Sequence, residues 1–61
     1  MISKVSVLRK QKGISQEELA KKCSCSVGTI VNAENDITKS KMSLLQKIAE
    51  VLSKDVKDLF E

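Results

Sequence analysis

The most restrictive feature of this sequence is a segment of twenty residues, 16–35, in which two short helical patterns flank a tight turn. Ser15 and Ser26 directly precede the two patterns, as N-cap serines do, and Glu18 completes the spacing of a capping box after Ser15. Small Ala20 lies where two steeply crossing helices would touch. The apolar positions that would hold the two helices together are Leu19, Cys23, Cys25, Ile30 and Ala33. The segment therefore predicts two packed helices, of which the second keeps a free outer face.

Three further helices are predicted on either side of this segment, which makes the expected fold a compact, all-α arrangement of five helices. The first runs over residues 3–12, is capped by Ser3 and stops at Gly13, a residue that tolerates the left-handed conformation. Residues 34–39 are polar and are expected to form a loop. A fourth helix follows with an apolar stripe at helical spacing, and Asp55 is expected to cap a short fifth helix.

Composition supports a single small domain over residues 1–61. The chain has 61 residues, no proline, two glycines and one aromatic residue. All-β domains need turn residues far more often than this, and so short a chain has little room for a substrate cleft. The residues expected to be buried are Leu8, Leu19, Cys23, Cys25, Ile30, Leu45, Ile48, Leu52 and Leu59.

Positive charge is concentrated near the N-terminus. Residues 1–22 contain six Lys or Arg and only two Glu, and the whole chain has a formal net charge of +3. A basic excess favours an anionic partner such as nucleic acid. The sequence has no histidine, no metal-ligand cluster and no glycine-rich phosphate loop, so an enzyme is not expected.

Cys23 and Cys25 are the two cysteines of the chain. Residues this close in sequence rarely reach disulfide geometry, and two thiols alone do not complete a zinc site. We expect both to be reduced, unligated and buried as small apolar groups in the cytoplasm; the alternative is redox or metal sensing across a dimer. No cofactor, metal or small-molecule ligand is expected, and no apolar run is long enough to cross a membrane.

Three stretches of the sequence, LRKQKGISQEELAKKC, SVGTIVNAEN and LLQKIAEVLSKDVKDLF, together carry a family resemblance. They resemble the phage-repressor-like helix-turn-helix family, the lambda repressor and Cro type that is also called Xre-like. The resemblance covers residues 8–60 and implies a DNA-binding domain whose helix-turn-helix spans about residues 16–35. Arg9 and Glu34 match a charged pair that ties the first helix of this family to the end of the third.

The resemblance assigns the outer face of the third helix to double-stranded DNA. The positions implied to contact base edges are Val27, Gly28 and Asn32. The positions implied to contact or lie near the phosphate backbone are Gln16, Ser26, Thr29 and Asn35. Lys39 and Lys41 flank the same helix and are expected to neutralise phosphates. The alternative for each polar position is an ordinary solvated surface, and the alternative for Val27 is a half-buried place beside the core.

Three positions depart from the family pattern. Ser24 stands where the family usually has glycine, so the turn is expected to be strained there. Asp36 replaces a glycine and brings a negative charge close to the expected path of the DNA, and Ser40 replaces a common proline. These departures leave the predicted fold unchanged but weaken the predicted base readout.

The resemblance also implies a homodimer on a two-fold symmetric site, because helix-turn-helix dimers place their recognition helices about 34–36 Å apart on DNA. The residues expected at the dimer interface are Leu52, Val56 and Phe60. The expected function is therefore a dimeric, sequence-specific repressor of transcription. Two alternatives stay open: an interaction module that keeps the fold without specific DNA readout, and a fragment of a longer protein.

Overall fold

The computed structural model describes residues 3–60 and contains four α-helices and two 3-10 turns. The helices are α1 (Val5–Lys12), α2 (Gln16–Lys22), α3 (Val27–Asn35) and α4 (Met42–Val51). The 3-10 turns are Ile37–Lys39 and Val56–Leu59. Residues 3–60 contain no β-strand, only an isolated antiparallel bridge between Ser3 and Phe60. The predicted all-α class is confirmed.

The expectation of a fifth α-helix is wrong. Residues Val56–Leu59 form a 3-10 turn of four residues, and the Asp58 carboxylate accepts the backbone N–H of Asp55 at 3.1 Å. Phe60 is already extended and pairs with Ser3 at the other end of the chain. The segment therefore turns once and closes the fold, because the pairing leaves no room for a second helical turn.

Serine side chains begin both helices of the central segment, as predicted. Ser15 Oγ accepts the backbone N–H of Glu18 at 3.0 Å, and Ser26 Oγ accepts that of Thr29 at 3.3 Å. Each bond satisfies an amide that has no partner inside its helix. The first helix differs from the expectation, because α1 begins only at Val5 and Ser3 Oγ accepts the Val5 N–H at 3.3 Å from outside the helix.

Three helices end in the same way, with one residue in the left-handed conformation after the last turn. The values of φ are 77° at Gly13, 56° at Ser24 and 58° at Ser53. The next amide in each case donates to the carbonyl five residues earlier, at 2.8–3.3 Å, which defines a Schellman motif. Ser24 thus adopts the strained conformation that its departure from glycine predicts.

The helices pack around one apolar core. The largest fully buried side chains are Val5, Leu19, Ile30, Ile37, Ile48 and Leu59. Leu8 and Cys25, which were expected to be buried, are only half-buried and pack against the edge of this core. Ile37 was expected in a polar loop. It lies instead in a 3-10 turn that directs its side chain into the core, where it is fully buried. Ile37 therefore fixes the connection between α3 and α4 to the core.

Ser24→Gly is expected to raise the free energy of unfolding by about 1 kcal/mol, because glycine adopts a positive φ without the steric cost that serine bears. Ser43→Gly is the matched control, since exposed Ser43 lies inside α4. There the same exchange should be destabilising by about 0.5 kcal/mol through lost helix propensity. Urea denaturation measures both variants. A Ser24→Gly protein no more stable than wild type would show that the turn carries no strain.

Candidate nucleic-acid interface

Helix α3 has one face in the core and one face open to solvent. Ile30 and Ala33 are fully buried, whereas Gly28 and Asn32 are exposed. Val27 is 36% exposed, so it is neither core nor fully solvated. A helix held in this way can approach a second macromolecule with its outer face while its inner face keeps its place.

The first turn of α3 carries a pair of hydroxyl groups in mutual contact. Ser26 Oγ and Thr29 Oγ1 lie 2.9 Å apart, a hydrogen-bonding distance at which either group can be the donor. Ser26 Oγ also accepts the backbone N–H of Thr29. Ser26 is exposed and Thr29 is half-buried, so the pair lies at the surface of the helix.

A groove of about 370 Å³ runs between α3 and the segment that leads into α4. Its lining consists of Cys25, Thr29, Asn32, Lys39, Ser40, Lys41 and Leu44. The groove therefore brings together an amide and a hydroxyl of α3 with the two lysines that follow this helix. The predicted contact residues outside this lining are Gln16, Ser26, Val27, Gly28 and Asn35.

A buried carboxylate ties this surface to the rest of the fold. Arg9 Nε donates to Glu34 Oε2 at 2.6 Å, and Gln16 Nε2 donates to Glu34 Oε1 at 2.8 Å. The Arg9 guanidinium also donates to the carbonyl of Ile14 at 2.8 Å. The side chains of Arg9 and Glu34 are only 10% and 8% exposed. Both oxygens of Glu34 are thus engaged, and α1, the start of α2 and the end of α3 are joined at one point.

Gln16 has a part in this cluster that its sequence position did not reveal. It was expected to meet a phosphate, but one N–H of its amide is directed at Glu34. The amide nitrogen carries two hydrogens, so a second donor is still available for another acceptor. The contact lies between residues eighteen positions apart, and only the packing of α2 against α3 brings them together.

The carboxylate of Asp36 has a structural role in the turn that follows α3. Its Oδ1 accepts the backbone N–H of Thr38 at 3.1 Å and the Thr38 hydroxyl at 2.5 Å. The hydrogen bonds from the Thr38 hydroxyl and amide, together with the nearby charge of Lys39, lower the pKa of the Asp36 carboxyl below its usual range. The carboxylate therefore caps the turn Ile37–Lys39 and holds Lys39 beside the groove.

Both cysteines are free, but their surroundings differ. Cys23 is buried, and its burial, with a smaller effect from Cys25, raises the pKa of its thiol. Cys25 is half-buried and lines the groove. Across residues 3–60 no three His, Cys, Asp or Glu side chains are grouped so that they could hold a metal ion. The same part of the chain has no helix long and apolar enough to cross a membrane.

The three residues expected at a dimer interface are not equally available. Leu52 is 3% exposed and belongs to the core, so its side chain already packs within its own chain and the expectation for this residue is corrected. Val56 and Phe60 are half-buried and pack against the outside of the core. Only these two retain surface that a second copy of the chain could cover.

The arrangement of α2, the turn after it and α3 is that of a helix-turn-helix protein. The family model described as helix-turn-helix matches residues 7–59, and the chain belongs to this family, in its phage-repressor-like, Xre type. A similar solved structure is the N-terminal DNA-binding domain of SinR from Bacillus subtilis, with 29% sequence identity and a TM-score of 0.82. The match covers 93% of this chain and 84% of that domain. No curated protein matches the sequence significantly.

Glu34→Ala is expected to lower the free energy of unfolding by about 3 kcal/mol, because the Arg9 guanidinium stays enclosed without its counter-charge. Gln16→Ala removes one hydrogen bond to the same carboxylate and should cost about 1 kcal/mol. The double variant Arg9→Met with Glu34→Leu removes both charges and is expected to cost less than Glu34→Ala alone. Urea denaturation compares the three, and a loss below about 1 kcal/mol for Glu34→Ala would show that Arg9 behaves as an exposed charge.

Proposed function

We propose that this chain is a DNA-binding regulator of transcription, and specifically a dimeric, cytoplasmic repressor without catalytic activity that recognises a two-fold symmetric operator. The observation that carries the proposal is the groove beside α3, whose lining includes Asn32 of the exposed helix face together with Thr29, Lys39 and Lys41. Base-reading and charge-neutralising groups thus share one surface. The family and the similarity to a DNA-binding domain support the same conclusion.

Asn32 is the residue proposed to read a base. It is exposed on the outer face of α3, and an asparagine amide can pair with adenine through one donor and one acceptor in the major groove. Val27 and Gly28 lie at the start of the same helix and offer no hydrogen bonds from their side chains. Val27 is proposed to contact a thymine methyl, and Gly28 lets the backbone approach closely.

The phosphate contacts are proposed to surround the helix on both sides. Lys39 and Lys41 line one side of the groove, so they would neutralise phosphates along one strand. The other proposed contacts come from polar side chains near the ends of α2 and α3. These are Gln16, Ser26, Thr29 and Asn35. Asp36 keeps its negative charge near this surface, and the neighbouring positive charge of Lys39 partly offsets it.

A homodimer is proposed because one recognition helix contacts too few base pairs for useful specificity. The remaining surface of Val56 and Phe60 lies at the 3-10 turn that closes the fold, away from the groove lining. An interface there would leave α3 of each copy free, and a two-fold axis would make the two surfaces self-complementary.

Selection from a random pool of duplex DNA tests this proposal. The expected result is a site made of two inverted half-sites whose centres lie about one helical turn, 10–10.5 base pairs, apart. Sedimentation of the complex should show two chains on each site. An enriched single half-site bound by one chain would contradict the dimer. Failure to enrich any sequence would favour the alternative, an interaction module, to which exposed Val27 would then contribute.

Asn32→Ala and Lys39→Ala are expected to affect binding in different ways. Asn32→Ala should cost about 1–3 kcal/mol on the selected site and relax the preference at one base pair. Lys39→Ala should weaken binding to all sequences about equally and reduce the slope of log K against log salt by about 1. Gel-shift titrations at several salt concentrations, on the selected site and on point-changed sites, measure both. If Asn32→Ala leaves the base preference unchanged, Asn32 does not read a base, and Val27 and Gly28 become the candidates for that role.

A further inference from the structure

The connection after α3 brings a carboxylate close to a lysine of the proposed interface. Asp36 directly follows the last residue of α3 and begins the turn Ile37–Lys39, and Lys39 at the end of this turn lines the groove. The charge of Lys39 is near enough to lower the pKa of the Asp36 carboxyl. One short turn therefore carries charges of opposite sign at the side of the groove.

Two hydrogen bonds fix the position of this carboxylate. Asp36 Oδ1 accepts the backbone N–H of Thr38 at 3.1 Å and the Thr38 hydroxyl at 2.5 Å. The side chain therefore cannot rotate away from an approaching anion without breaking the cap of the turn. Both donors are neutral, so they leave the negative charge in place, and their hydrogen bonds stabilise the ionised form of the carboxyl. The carboxylate thus stays charged and stays in position at neutral pH.

A fixed negative charge at this place opposes the backbone of any duplex. Phosphates are common to all sequences, so charge contacts contribute to sequence-independent binding, whereas base preference depends on contacts with base edges. The lining of the groove contains Asn32, the residue proposed to read a base, but it does not contain Asp36. Repulsion from Asp36 therefore lowers the affinity for all sequences without changing which base is preferred.

We infer that Asp36 is a built-in counter-charge that limits the affinity of the α3 face for the phosphate backbone. This inference rests on the proposed function. Lys39 and Lys41 attract DNA of any sequence, and the carboxylate near them opposes part of this attraction. Binding to unrelated DNA is kept weak in this way, so stable binding requires the additional contacts that α3 makes with bases.

Asp36→Asn separates the charge of this residue from its role in the turn, because an amide oxygen also accepts hydrogen bonds and asparagine is a favoured cap. Gel-shift titrations measure Kd for the selected site and for an unrelated duplex of equal length. We expect Asp36→Asn to lower both values about threefold to fivefold at low salt, with the base preference unchanged. The difference from wild type should shrink as salt is added, because salt screens exposed charges.

Glu50→Gln is the matched control for the loss of a negative charge. Exposed Glu50 lies near the C-terminal end of α4, whereas the groove is lined by Leu44 near the start of this helix. Glu50→Gln should therefore change Kd by less than about 1.5-fold. Thr38→Val keeps the charge of Asp36 and removes one hydrogen bond of the cap, so it should not tighten binding. Urea denaturation checks that each variant is folded, and Asp36→Ser, another neutral cap, replaces Asp36→Asn if that variant is not.

Tighter binding of both duplexes by Asp36→Asn, with neither control variant showing it, supports the inference. An unchanged Kd in Asp36→Asn would overturn it, while the proposed function would stand. An equal gain in Glu50→Gln would overturn it because the effect would follow the net charge of the chain. A gain in Thr38→Val would do so because the shape of the turn would be responsible. A wild-type chain that binds no duplex DNA would overturn the proposed function and this inference together.

Discussion

The carboxylate of Glu34 is the point on which the geometry of the interface depends. It lies near the end of α3 and receives hydrogen bonds from Arg9 of α1 and Gln16 of α2. Three helices thus meet at two oxygen atoms with little exposure to water, where a hydrogen bond between charged groups is stronger than at the surface. The apolar contacts of Ile30 and Ala33 hold α3 against the core, but such contacts have no direction. The directional bonds to Glu34 determine the angle at which the outer face of α3 is presented.

The other side of the interface depends on the short connection between α3 and α4. Asp36 caps the turn Ile37–Lys39, and Ile37 is fully buried beneath it. The cap formed by Asp36 and the buried side chain of Ile37 together restrict the movement of this connection. Lys39 therefore stays in the lining of the groove together with Asn32, and its exposed ammonium is near enough to Asp36 to lower the pKa of that carboxyl. The position of a surface charge is determined here by a buried isoleucine.

Sequence reasoning succeeded where local chemistry determines structure. The serine caps at Ser15 and Ser26 and the left-handed stop at Gly13 depend on residues within a single turn, so their spacing alone predicted them. It failed where distant residues decide the outcome. The bond between Gln16 and Glu34 exists only after α2 and α3 pack together, and the fifth helix was prevented by pairing with the opposite end of the chain.

The candidate site was predictable to a similar extent. The family resemblance implied that Asn32 lies on the outer face of α3, and Asn32 is exposed there. The spacing of residues along a helix does not reveal hydrogen bonds between side chains. The bond from Thr38 to the Asp36 carboxylate and the contact between Ser26 and Thr29 therefore became visible only in the structure. Leu52 shows a further limit of the sequence. An apolar residue at this position could belong to the core or to a dimer interface, and only its buried position in the structure distinguishes the two.

The pairing of Ser3 with Phe60 has a consequence for the order in which the fold assembles. This bridge, together with the bond from the Lys4 N–H to the Leu59 carbonyl at 2.8 Å, joins positions near opposite ends of the sequence. Closing so long a loop carries a larger entropic cost than forming the contact of α2 with α3, which are close in the chain. We therefore expect assembly to proceed from the middle of the chain outward, and the seam between the two ends to separate first on warming. Helix α3, which lines the groove, belongs to the pair that we expect to form early and to be lost late.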